Sequence, residues 1–179
     1  MVMKTNFSFQ LSVLIFTALS FISCGSDRQE LFIINNEVEF ILPGALNTIE
    51  THVFIIRNVP SFYRANLSAN GASDDQIVSI TATRARLQGS FGMIDYDFIE
   101  EISVRAFSRT EPGLNREMYF QDRIPFNQSG DLELFSSISE LKDILSQEVF
   151  DMEVRIRLRQ STPLQLQNKL IFSYAVFDM

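Results

Sequence analysis

From Val149 to Arg159 the chain alternates without a slip. Phe150, Met152, Val154, Ile156 and Leu158 are apolar, and Asp151, Glu153, Arg155, Arg157 and Arg159 interleave with them. A side-chain period of two over this length is that of a β-strand with one face buried and the other wet. Gln160-Ser161-Thr162-Pro163 then breaks the pattern as a turn. Alternation resumes in Leu164, Leu166, Leu170, Phe172, Tyr174 and Val176. The expectation is a C-terminal antiparallel hairpin.

Weaker runs of the same kind precede it. Strands are expected over Glu37 to Leu42, Thr51 to Asn58, Gln76 to Leu87, Glu101 to Ser108, Arg116 to Ile124 and Asp131 to Phe135. Pro43-Gly44 and Pro125 end two of these runs. About eight short strands separated by turn signals predict an all-β fold, an antiparallel β-sandwich. Two short helices interrupt it. Ser137-Ile138-Ser139-Glu140 has the spacing of a capping box, followed by an apolar stripe of Ile138, Leu141, Ile144 and Leu145. Ser61 to Ala69 reads as a second helix, with Phe62 and Leu67 facing inward and Asn70-Gly71 as its stop. Gly89 to Met93 and Thr110 to Asn115 are the expected mobile loops.

The N-terminus has a different character. One charge, Lys4, precedes an apolar stretch from Leu11 to Leu19, and small residues Ser20 and Ser23 follow. That is the anatomy of a secretory signal. The stretch is too short and too often interrupted for a membrane span, which needs about 20 largely apolar residues. Cys24, the single cysteine, comes next. Phe21-Ile22-Ser23-Cys24 resembles the lipobox of bacterial lipoproteins, with Phe21 where Leu is usual. The resemblance implies a diacylglycerol on the Cys24 sulfur, cleavage before it, and palmitate-type acylation at an outer membrane. Ordinary cleavage after Ala18-Leu19-Ser20 is the alternative and leaves Cys24 a free thiol. The expected organisation is a leader over 1–23, a flexible tether over 24–31 and one β-sandwich domain over 32–179. Asp27 and Glu30 in the tether leave the periplasmic and the outer face both open.

Composition narrows the roles. With Cys24 acylated the chain has no thiol for a disulfide, a thiolate nucleophile or a cysteine metal site. The formal charge is −7, and loss of the leader with its Lys4 leaves −8. That balance argues against nucleic acid as a partner. Seventeen Phe and no Trp point to an aromatic core and weaken a sugar-stacking platform.

The segments Asn66-Leu67-Ser68-Ala69-Asn70-Gly71, Asp74-Asp75-Gln76-Ile77-Val78-Ser79-Ile80, Ala85-Arg86-Leu87 and Asp97-Phe98-Ile99-Glu100-Glu101-Ile102 form a recurring order of turns and strand starts. With Asp131-Leu132-Glu133-Leu134 and Glu140 to Leu145 they resemble a largely uncharacterised set of lipoproteins from Bacteroidota-type bacteria. The resemblance covers most of the mature chain and implies an immunoglobulin-like sandwich on a lipid anchor, without an implied activity.

Few residues point to chemistry. His52, the single histidine, could serve a cryptic hydrolase as a base, but no G-x-S-x-G segment accompanies it, and a lone strand histidine is usually structural. Asp95, Asp97, Glu100 and Glu101 offer oxygen ligands of the kind calcium takes, or simply a solvated acidic loop. Asp74-Asp75 reads the same way. Arg155, Arg157 and Arg159 project from one strand face, joined by Lys169 from the expected hairpin partner, as an anion-binding face or as a wet face balanced by acids. Arg84 and Arg86 form a second such row. No cofactor is expected. The sequence predicts a non-enzymatic binding or assembly module whose partner is an envelope protein or glycan. The alternatives are an accessory subunit of an outer-membrane complex that pairs through an edge strand and, more remotely, the hydrolase at His52.

Overall fold

Among the described residues eight strands run antiparallel in one continuous sheet that curls over on itself. The computed structural model describes residues 28–111 and 113–179. In chain order the elements are β1 (Gln29–Leu42), β2 (His52–Pro60), α1 (Tyr63–Ala69), a single 3-10 turn (Asp74–Gln76), β3 (Ile77–Gly89), β4 (Ile99–Phe107), β5 (Asn115–Gln121), β6 (Leu132–Ser136), α2 (Lys142–Leu145), β7 (Val149–Leu158) and β8 (Leu166–Asp178). Across the sheet they lie in the order β1-β8-β3-β6-β5-β4-β7-β2. The fold is the all-β, sandwich-like architecture that the alternation predicts.

The sheet turns its corner at β6. Leu132 to Leu134 pair with Leu87 to Ala85 of β3, whereas Phe135 and Ser136 pair with Phe120 and Tyr119 of β5. One short strand thus belongs to both halves, and the halves close on a single core. The curl brings the two end strands side by side. The Phe40 and Phe54 rings meet at 5.7 Å, and the Asn36 amide donates to the Pro60 carbonyl at 2.6 Å. Side chains close this seam; β1 pairs in a ladder only with β8, and β2 only with β7.

The core follows from the strand period. Val104, Phe150, Met152, Val154, Ile156, Leu170 and Tyr174 are fully buried, each on the inward parity of its strand. A buried side chain of this size contributes about 1.5–3 kcal/mol. Phenylalanine is less central than its number predicts. Phe40, Phe98, Phe150 and Phe172 are buried, but Phe62, Phe91, Phe126 and Phe135 are exposed. All four tyrosines are buried instead, and each phenol finds an acceptor: Asp74 for Tyr63, Asn168 for Tyr96, Ser173 for Tyr119 and Ser61 for Tyr174.

Four expectations need correction. β7 and β8 do not form a hairpin: β7 lies between β4 and β2, and β8 between β3 and β1. Alternation fixes that a segment is a strand and which face is buried, but it does not choose a ladder partner. The capping box at Ser137 does not form either. Helix α2 starts later, at Lys142, with Leu141 at its N-cap position. Glu140 turns sideways instead and binds β3, and Ile138 is wholly exposed. The reciprocal box sits at Ser73 and Gln76, around the 3-10 turn. In α1, Tyr63 and Leu67 face inward and Phe62 does not. Phe62 takes a left-handed backbone at φ 54°, which swings its ring outward. Finally, β1 begins at Gln29, where it pairs with Asp178. Residues 29–31 therefore belong to the sheet and not to a tether.

Candidate functional site

The four cations expected to act together are separated. Arg155 and Arg157 do share an exposed face of β7. Arg155 pairs with Glu153 at 2.5 Å and Arg157 with Glu100 at 3.3 Å. Arg159 leaves the row: its guanidinium lies 4.2 Å from the centre of the Phe126 ring and donates to the Ile124 carbonyl. It thereby clamps the β5–β6 connection onto the end of β7. Lys169 lies on β8, in the other half of the sheet, 3.1 Å from Glu37 and 3.9 Å from Glu39. Only a β7–β8 hairpin would set Lys169 beside the arginines, and β7 and β8 do not pair.

The acidic candidates are equally dispersed. Glu100 is engaged by Arg157, Asp95 is exposed, and Asp97 and Glu101 are half-buried. Among the described residues no group of three or more His, Cys, Asp and Glu stands close enough to hold a metal ion. Asp74 accepts the Tyr63 phenol at 2.6 Å, which gives the Asp74-Asp75 pair a structural task at the mouth of α1. The His52 ring contacts the Asn47 backbone carbonyl at 2.8 Å. That partner orients an imidazole, but it supplies neither nucleophile nor charge. Cys24 lies outside the described residues. Among those described, no helix is long and apolar enough to cross a membrane.

What the described surface presents are shallow grooves and, on edge strand β2, exposed apolar side chains. A groove of about 540 Å³ crosses the outer face of β1, β8, β3 and β6, lined by Ile33, Asn35, Arg84, Arg86 and Glu133. Arg86 there is held loosely by Asp131 at 3.7 Å. A smaller one of about 390 Å³ on the opposite half includes Glu101, Glu117, Asp122 and Arg155.

The two edges differ in character. The middle of β1 presents Glu37 and Glu39, which are held by Lys169. On β2, Val53 and Ile55 point outward and are 48% and 60% exposed. Edge strands of natural proteins are commonly guarded by charge or covered, and these two side chains are neither. The signal for them was present in Val53-Phe54-Ile55-Ile56, where apolar residues occupy both parities of a strand with only one inward face.

No family model and no curated protein matches the chain. Among solved structures, a chain described as "nora virus structure" is similar at 13% identity over 87% of this chain and 61% of that one, with a TM-score of 0.34.

Proposed function

We propose that this chain is a lipid-anchored, non-enzymatic binding or assembly module of a bacterial outer membrane. In this reading Cys24 carries the lipid and the β-sandwich meets an envelope protein or glycan. The observation that carries it is the uncovered outer side of β2, where two β-branched side chains, Val53 and Ile55, are spent on surface. Anchoring concentrates the domain in two dimensions, where contacts too weak for solution suffice. The same observation favours the second reading, an accessory subunit that pairs through an edge strand. The hydrolase draws no support from an imidazole held by a backbone carbonyl.

The test is in two parts. Cells fed labelled palmitate should yield a labelled chain in the membrane fraction, and Cys24→Ala should lose both label and membrane association. A photo-crosslinker at position 53 or 55 should capture a discrete partner, whereas one at position 39 on β1 should not. Membrane association of Cys24→Ala would sink the anchor. Absence of capture from β2 would sink the role of its edge.

A further inference from the structure

We propose that the groove over the outer face of β1, β8, β3 and β6 binds a carboxylate-bearing sugar, and that Arg84 takes the carboxylate. This deepens the binding reading above by naming the chemistry of its glycan, and it rests on that reading. The groove measures about 540 Å³, within the range of small-ligand sites. Its floor is built rather than incidental. Asn35 of β1, Ser173 of β8 and Arg84 of β3 lie in one row across the sheet. The β3–β8 register slips between Ala82 and Arg84, and such bulges re-aim the side chains beside them. Thr83, the residue at the slip, donates its hydroxyl to the Ser173 carbonyl at 2.9 Å, and Tyr119 reaches the same oxygen from the core at 2.6 Å. The backbone under the groove is thus held from both sides.

Charge selects the anion. Arg84 and Arg86 are both exposed and stand two residues apart on one face of β3, about 7 Å along the strand. Arg86 meets Asp131 at 3.7 Å and lies directly opposite Glu133 in the β3–β6 ladder. Arg84 makes no salt bridge among the described residues. Its guanidinium fork matches a carboxylate through two hydrogen bonds. The second charge of a phosphate would face Asp131 and Glu133, so the groove favours the single charge of a carboxylate. The rest of the lining fits a sugar. Asn35 and Glu133 are exposed side chains that can bond hydroxyls, and Ile33, 39% exposed, offers apolar surface to a ring face. That mode needs no aromatic platform, in keeping with a chain that has no Trp. A peptide added as a strand would need free backbone groups, and β8, at the centre of the groove, is paired on both sides.

Backbone amide shifts of the full chain carrying Cys24→Ser test the site against glucuronate, glucose, a glucose phosphate and a capped glutamate tripeptide. Glucuronate should move the amides of Asn35, Arg84 and Ser173 saturably, with several-fold higher affinity than glucose or the phosphate. Arg84→Gln should weaken glucuronate about tenfold or more. Arg84→Lys should recover only part of the loss, because it restores the charge without the fork. Arg64→Gln, on α1 and outside the groove, should bind as the parent does. Unchanged amide positions elsewhere show that each variant is folded. Glucose or the phosphate binding as tightly as glucuronate, or parent-like binding by Arg84→Gln, would overturn the proposal. Shifts with the tripeptide and none with glucuronate would overturn the sugar and leave a binding module standing. No shift with any probe would overturn the groove as a site, whereas the captures from β2 judge the binding reading separately.

Discussion

Glu140 accepts the backbone N–H of Ile80 at 2.8 Å, and this carboxylate joins the Leu141 N–H on the Ile80 carbonyl, at 2.9 Å, in tying the start of helix α2 to β3. The same group takes the Ser79 hydroxyl at 2.5 Å and the N–H groups of Leu141 and Lys142 at 3.1 and 3.0 Å. Partial burial pushes its pKa up, but the hydrogen bonds from Ile80, Ser79, Lys142 and Leu141 more than offset this and hold it below the ordinary value. A depressed carboxylate stabilises the fold above its unfolded pKa of about 4.3, and that contribution is lost as the pH falls through the folded value. Glu140→Gln should therefore cost about 1 kcal/mol at neutral pH, a figure reduced for solvent exposure. Urea denaturation at several pH values should show the gap between variant and parent close in acid. A gap that persists unchanged below the carboxylate range would contradict the account.

Tyr174 and Tyr119 both donate to backbone carbonyls in the core, but the carbonyls differ. The Ser61 oxygen that receives Tyr174 has no second hydrogen-bond donor among the described residues. The Ser173 oxygen that receives Tyr119 also accepts the Thr83 hydroxyl at 2.9 Å. Loss of a phenol should hurt more where an acceptor is left bare. Tyr174→Phe should cost about 1–3 kcal/mol and Tyr119→Phe about 0.5–1.5 kcal/mol. Thermal melts of the two variants decide the order.

Those tyrosines also show where the sequence stopped being informative. The strands themselves were legible, because a period of two is a local property of the chain. The interleaved run from Val149 to Arg159 named its inward residues one by one. Partner choice was not legible: β7 and β8 are consecutive in sequence and sit in opposite halves, since a turn such as Gln160 to Pro163 can cross the sandwich as readily as reverse within one sheet. Glu140 had the spacing of a capping box, yet a distant Ile80 amide and Ser79 hydroxyl competed for it and won. The candidate site failed for the same reason. Parity sets Arg159 beside Arg155 and Arg157, and only a hairpin would bring Lys169 to them; the partners in the fold, Phe126 and Glu37, come from elsewhere in the chain.

Gly89 ends β3 at a close crossing. A Cβ there would stand 2.6 Å from the Gly92 carbonyl oxygen and 2.7 Å from the Ile94 side chain. The side chain can shift, but the carbonyl belongs to a loop pinned by the Ser90 N–H on Gln167 at 2.9 Å. Gly89→Ala should therefore cost about 1–3 kcal/mol by overpacking. Gly113→Ala is the control, because a Cβ at Gly113 meets nothing within 4 Å. Its unfolding midpoint should stay within about 0.5 kcal/mol of the parent.

The four tyrosines give the fold an alkaline limit. Burial raises the pKa of every one, and for Tyr63 the Asp74 carboxylate adds to it. In the unfolded chain these phenols ionise near pH 10, whereas in the fold they stay neutral well beyond it. A raised folded pKa gives stability that is complete below the unfolded value and drains as the pH climbs toward the folded one. From neutral pH upward stability should thus be flat to about pH 10 and fall steeply above it. The tyrosinate absorbance should then rise in a single step, together with the loss of strand circular dichroism, and not gradually in a folded protein. Tyr63→Phe should moderate the fall, since it removes one of the four groups whose ionisation drives it. A smooth tyrosinate titration near pH 10 with the strand signal intact would mean that the phenols reach solvent without unfolding.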